Sequence, residues 1–128
     1  MKLFKILALT LLLFSNVKAS DTTCIAEAIY FEARGESLEG QKAVAKVILN
    51  RMQLKKKSAC WVINEKNQFS FKKNKKRKLL DSSAYQRALI VAKTTKPSNS
   101  FKMDSFATYK AFSKPATKIG NHYFMRQY

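Results

Sequence analysis

Residues 31–36 read FEARGE and place two carboxylates, Glu32 and Glu36, four residues apart in a chain with 25 Lys and Arg but only 8 Asp and Glu. Glu27, Glu32, Glu36 and Glu39 put half of those scarce acids into one short stretch. What a carboxyl can do depends on which charge state its surroundings favour. Ile25, Ala28 and Ile29 fall at helical spacing below Glu32, so this carboxyl ends an apolar stripe. Partial desolvation there favours the protonated form, which a general acid needs in order to protonate a glycosidic leaving oxygen. A surface glutamate paired with a lysine is the competing reading. Glu36 follows Gly35 at the start of a second helix, where the dipole and free N–H groups favour the ionised form. It is expected to be a helix-start acid with a structural or electrostatic role.

Other chemistries are poorly supplied. The single histidine, His122, lies beside Tyr123 and Phe124 and reads as a packed or hydrogen-bonded residue. No Gly-x-Ser-x-Gly, phosphate loop, dinucleotide fingerprint or metalloprotease helix motif occurs. One His and two distant Cys do not assemble an ordinary zinc site, so neither a metal nor a cofactor is expected. The aromatics Trp61, Phe69, Phe71, Tyr109, Tyr123 and Phe124 suit a core, yet flat rings beside amides also suit a carbohydrate groove. Gln68, Phe69, Tyr109 and Tyr123 are therefore candidate substrate contacts, and Glu36 and His122 join them.

The elements that must position these groups follow from periodicity. CIAEAIYFEAR predicts a helix that Thr22 or Thr23 could cap and that Gly35 ends or bends. Ser37 offers an N-cap for LEGQKAVAKVILNRM, where Ala43, Val44, Val47, Ile48 and Met52 form an apolar stripe. Residues 53–81 read as irregular and include the basic run Lys72–Lys78, which suits a solvated loop. A further helix is predicted over Ser83–Lys93, with Asp81 or Ser82 near its cap. FATYKAF and KIGNHYFMRQY read as short strands or aromatic-lined loops. The whole is one small α+β domain, mainly helical.

The N-terminus reads as a targeting segment. A basic start, the apolar run ILALTLLLF and small residues at Val17 and Ala19 predict a secretory signal over residues 1–19, cleaved near Ala19. The run is short against the roughly 20 residues of a membrane span, and an uncleaved anchor is the alternative. The expected location is secreted, periplasmic or at the cell envelope, with residues 20–128 forming the functional domain as a monomer. That domain keeps 22 basic and 8 acidic residues, a formal +14, which seeks an anionic partner. Export favours an envelope surface, reached through Lys72–Lys78, over nucleic acid. It also favours pairing of Cys24 with Cys60 as a disulfide, with two buried free thiols as the alternative.

At residues 26–51, AEAIYFEARGESLEGQKAVAKVILNR strongly resembles the opening of the SleB/CwlJ cell wall hydrolase family. Cys60–Ile63, QFSF and KIGNHYF follow in the family's order, so the resemblance covers about residues 24–124. It implies a small lysozyme-like or lytic-transglycosylase-like α+β fold with a helix-end glutamate beside a glycan groove. It also implies that Glu32 is the catalytic acid and that peptidoglycan is cut between N-acetylmuramic acid and N-acetylglucosamine. The chain departs from relatives that carry Tyr-His within the TYKAF region and a Trp where Ala116 follows Pro115.

Hydrolysis by two acids needs a second carboxylate about 5–10 Å from the first. Glu36 and Glu39 lie on the same side of the turn as Glu32, and Glu65, Asp81 and Asp104 lack a supporting motif. Single-acid transglycosylation to 1,6-anhydro-muropeptides is therefore the expected reaction. The alternatives are a basic envelope-binding protein without catalysis and an amidase that cuts the peptide stem.

Overall fold

The computed structural model describes residues 18–65, 79–108 and 115–127. Four helices come first, α1 (Ala19–Ala33), α2 (Leu38–Lys55), α3 (Ala59–Asn64) and α4 (Ser82–Thr94). Three short strands follow, β1 (Ser105–Ala107), β2 (Ala116–Ile119) and β3 (His122–Met125). The mainly helical α+β expectation holds. Gln68, Phe69, Tyr109, the run Lys72–Lys78 and nearly all of the expected signal segment lie outside the described residues.

α1 is the hub, packed against α2, α3 and α4. Its Ile25, Ala28 and Ile29 are completely buried, as the apolar spacing predicts. The helix starts at Ala19, earlier than the expected Thr22 or Thr23 cap, and Lys18 at its N-cap makes no side-chain capping bond. Thr23 instead bonds back to the Ala19 carbonyl at 3.1 Å. α2 begins at the expected cap, with Ser37 Oγ accepting from Gly40 N at 3.2 Å. It buries Ala43, Val44, Val47 and Ile48, and it ends where Lys56 turns left-handed at φ 52° and returns its N–H to the Met52 carbonyl.

α3 corrects the irregular reading of residues 53–81. Six residues are too few to show a helical period, and two capping bonds hold this helix instead. Ser58 Oγ accepts from Trp61 N at 3.2 Å, and Asp21 on α1 reaches across to accept from Ala59 N at 2.8 Å. Beside it the Cys24–Cys60 disulfide ties α1 to α3 across 36 positions. In the chain-entropy account, closing such a loop stabilises the fold by about 3–4 kcal/mol. α4 opens with Asp81 Oδ1 accepting from Ala84 N at 3.0 Å, the cap the sequence predicts.

The sheet has the order β1-β3-β2 and is antiparallel throughout. β2 and β3 form a hairpin in which Ile119 faces His122 across Gly120 and Asn121. Gly120 has φ +59° at the first central position, where tight hairpin turns of the II′ kind require glycine. Phe124 points from β3 into the helical core and is fully buried. The polar end of α2 fastens the sheet. Asn50 Nδ2 donates to the Phe101 and Met103 carbonyls, each at 2.7 Å, and buried Arg51 donates from Nε to the Asp104 carbonyl. Asp104, itself 1% exposed, accepts from Gln127 N at 2.8 Å and from Ser105 Oγ at 3.0 Å.

Candidate active site

Glu32 occupies the last turn of α1, one residue before the helix ends at Ala33. It is partly buried, above the fully buried Ile25, Ala28 and Ile29. An apolar floor below and a chain reversal above are what the helix-end position imposes. The reversal starts immediately: Glu36 N donates to the Ala33 carbonyl at 2.9 Å, which closes the turn through Arg34 and Gly35. Glu32 and Glu36 thus sit at the two ends of one short turn between α1 and α2.

Glu36 departs from the expected helix-start role. Its side chain is 10% exposed and leaves the α2 N-terminus for the tip of the β2–β3 hairpin. Both carboxylate oxygens accept from Asn121 N at 3.2 Å. Oε1 also lies 3.4 Å from His122 Nδ1, close enough for ion pairing but off the hydrogen-bond line. A Cβ added at Gly120 would overlap Glu36 Oε2, so this glycine supplies both the turn conformation and the space for the carboxylate. Ser37, and not Glu36, serves the helix start. An acid near a helix N-terminus favours both roles on local grounds, and only the hairpin's position decides between them.

His122 is buried, as a packed residue would be, with 3% exposure and its ring T-shaped to Phe106, centroids 5.3 Å apart. Tyr123 is partly exposed on the neighbouring strand position, with Lys118 Nζ 5.5 Å from its ring centroid. The structure therefore brings Glu36 and His122 together through the hairpin, whereas Tyr123, the next residue on β3, faces the opposite side of the sheet. It places Gln68, Phe69 and Tyr109 outside the described residues. Among the other aromatics, Phe124 is core, whereas Trp61 is 46% exposed with Lys57 Nζ 5.3 Å from its ring centroid.

The carboxylate inventory is complete, because all 8 acidic residues lie within the described segments. Asp21, Asp81 and Asp104 accept backbone hydrogen bonds that hold α3, α4 and the sheet. Glu36 is engaged by the hairpin, and Glu65 lies 3.9 Å from Lys55 Nζ. Glu39 is exposed on the first turn of α2. Glu27 is partly buried on α1 near Tyr85, whose hydroxyl pKa is raised by burial first and by the Glu27 charge second. Five residues separate Glu27 from Glu32, which turns the two side chains about 140° apart around the helix. Among the described residues no group of three or more His, Cys, Asp and Glu could hold a metal ion.

Sequence reasoning passed over Gly120, Asn121, Asn50 and Arg51. A Gly-Asn pair between KI and HYF is a hairpin signal that was legible. Asn50 and Arg51 closing an apolar helical stripe were also visible, though their partners 51–54 positions away were not.

Two comparisons with known proteins bear on this arrangement. The pattern of a family described as Cell Wall Hydrolase matches residues 35–125, opening at Gly35 just after Glu32. The spore cortex-lytic enzyme of Bacillus subtilis (strain 168) is 56% identical over 39 residues, covering 30% of this chain. That alignment spans 12% of the relative's own length. No solved structure matches significantly.

Proposed function

The chain belongs to the cell wall hydrolase family, and from that premise we propose that it cuts peptidoglycan between N-acetylmuramic acid and N-acetylglucosamine, as a lytic transglycosylase with Glu32 as its acid and base. The observation that carries the proposal is the engagement of the other acids. A two-acid mechanism places its carboxyl groups about 5–10 Å apart across the scissile bond. Here Glu36 is turned into the hairpin, and Asp21, Asp81 and Asp104 hold backbone amides. Glu27 points away around the helix, Glu65 lies 3.9 Å from Lys55 Nζ, and Glu39 is exposed on α2.

A single acid suffices when the sugar supplies the nucleophile. Glu32 donates its proton to O4 of the departing N-acetylglucosamine as the bond from C1 of N-acetylmuramic acid breaks. The 6-hydroxyl of the same muramic residue then bonds to C1, and the Glu32 carboxylate accepts its proton. The acid is regenerated, no water is consumed, and the new end is a 1,6-anhydro sugar. The partly buried setting above Ile25 and Ile29 places the Glu32 carboxyl at the end of an apolar helix face. Export to the envelope and attachment through Lys72–Lys78 belong to the same proposal, since the substrate lies outside the cell membrane and is itself acidic.

Digestion of purified sacculi in ¹⁸O water tests the reaction. Mass spectrometry is expected to find unlabelled anhydro ends. Labelled reducing ends would establish water as the nucleophile and overturn transglycosylation. Released stem peptides with intact glycan would identify an amidase.

A further inference from the structure

A cleft opens beside the α1–α2 turn. It has a volume of about 420 Å³ and lies between that turn and α4, with Arg34 and Arg87 at its sides and Leu38, Ile90 and Val91 among its apolar walls. Gln41 also lines it, with its amide fixed by a 3.2 Å hydrogen bond to the Glu36 carbonyl.

Both arginines are exposed, and neutral partners hold them in place. The Arg34 guanidinium lies 4.8 Å above the Tyr30 ring, and Arg87 Nη1 donates to Ser83 Oγ at 2.7 Å. Among the described residues no carboxylate pairs with either. Glu36 lines the cleft too, but its oxygens face Asn121 and His122. Two positive charges thus remain uncompensated between apolar rims, with Leu38 58% and Ile90 60% exposed. Guanidinium forks suit carboxylates, and the rims suit small aliphatic groups.

The position of the cleft identifies what brings such groups there. Arg34 follows Glu32 by two residues, which sets the two side chains about 200° apart around the helix. A sugar at Glu32 therefore does not enter the cleft, but a substituent of that sugar can pass around the helix end. An extended peptide advances about 3.5 Å per residue, so four residues span roughly 14 Å, more than the roughly 10 Å width of a helix.

We propose that this cleft binds the acidic peptide stem carried by the muramic residue, with Arg34 and Arg87 pairing its carboxylates and Leu38 and Ile90 receiving its alanine methyl groups. The inference rests on the glycan-cleaving reading above. It makes the enzyme selective for glycan that still bears stems.

The test compares kcat/KM on stem-bearing strands with that on strands stripped of their stems by an amidase. The double variant Arg34→Gln, Arg87→Gln is expected to lose about tenfold or more on stem-bearing strands and far less on stripped ones, the size expected for lost charge-assisted bonds. An equal loss on both substrates, or no loss on either, overturns the proposal. So does arginine-dependent binding to stripped sacculi, which would assign the cleft to another anionic polymer. Calorimetric titration with a free tetrapeptide stem separates this inference from the catalytic one. Binding by the parent protein and its loss in the double variant uphold the cleft even if neither glycan is cut. Absence of stem binding in a protein that does cut glycan removes the cleft and leaves the reaction standing.

Discussion

The Glu36 carboxylate and the His122 ring meet at 3.4 Å, joining the turn after α1 to the tip of a hairpin near the other end of the chain. With the Asn121 amide on both carboxylate oxygens, this contact fixes the sheet against the helical layer beside Glu32. The second acid of FEARGE thus ties the turn to the hairpin. Its neighbour Gly120 is the element that makes the approach possible.

Replacing Glu36 by Ala removes the acceptor of an exposed backbone amide, a loss worth about 0.5–1.5 kcal/mol. Urea denaturation should show that drop, and hydrogen exchange should show faster exchange at Asn121. Gly120→Ala should match or exceed it, because a left-handed L-residue costs about 1–2 kcal/mol before the overlap with Glu36 is counted. Glu36→Gln retains one acceptor oxygen and should fall between the parent and Glu36→Ala. Identical stability in all four proteins would remove the clasp from the account.

Glu32→Gln should keep sacculus binding while activity falls by about 10²–10⁴-fold, the usual contribution of a general acid or base. Turbidity clearing measures the activity, and co-sedimentation measures the binding. Retained clearing would move the catalytic role elsewhere among the acids.

Reduction of the Cys24–Cys60 bond should lower unfolding stability by about 3–4 kcal/mol, with the loss largest where α3 meets α1. Asp21→Ala acts on the same junction by freeing the Ala59 amide and should cost about 1 kcal/mol alone. Because the two ties share one helix, their effects should not add, and a double-mutant cycle measures the difference.

Tyr85 gives an alkaline signature. Its hydroxyl pKa lies above the ordinary value of 10.0 in the folded protein, raised first by burial and then by Glu27. The folded chain therefore holds this proton more tightly than the unfolded one, and stability falls as pH rises from the unfolded value through the folded one. Absorbance titration at alkaline pH should find a late-titrating component that is lost in Tyr85→Phe. Glu27→Gln should shift it downward only in part, since burial is the larger cause.

The sequence by itself determined the parts that depend on near neighbours. Apolar spacing in α1 and α2 names Ile25, Ile29, Val44 and Ile48 as core, and Ser37 and Asp81 announce their helix starts, because caps and periods act within one or two turns. The chain has two cysteines, and the expected Cys24–Cys60 pairing is the one the structure holds. Tertiary structure decided the rest. α3 is too short to carry a period and owes part of its capping to Asp21 on another helix. Arg51 and Asp104 are polar residues in the interior whose partners lie far along the chain. Glu36 had two possible tasks on local grounds, the helix dipole or a distant donor, and the position of the hairpin selected the second. A buried hydrogen bond forms with whichever group packing brings near, and packing is a property of the whole chain.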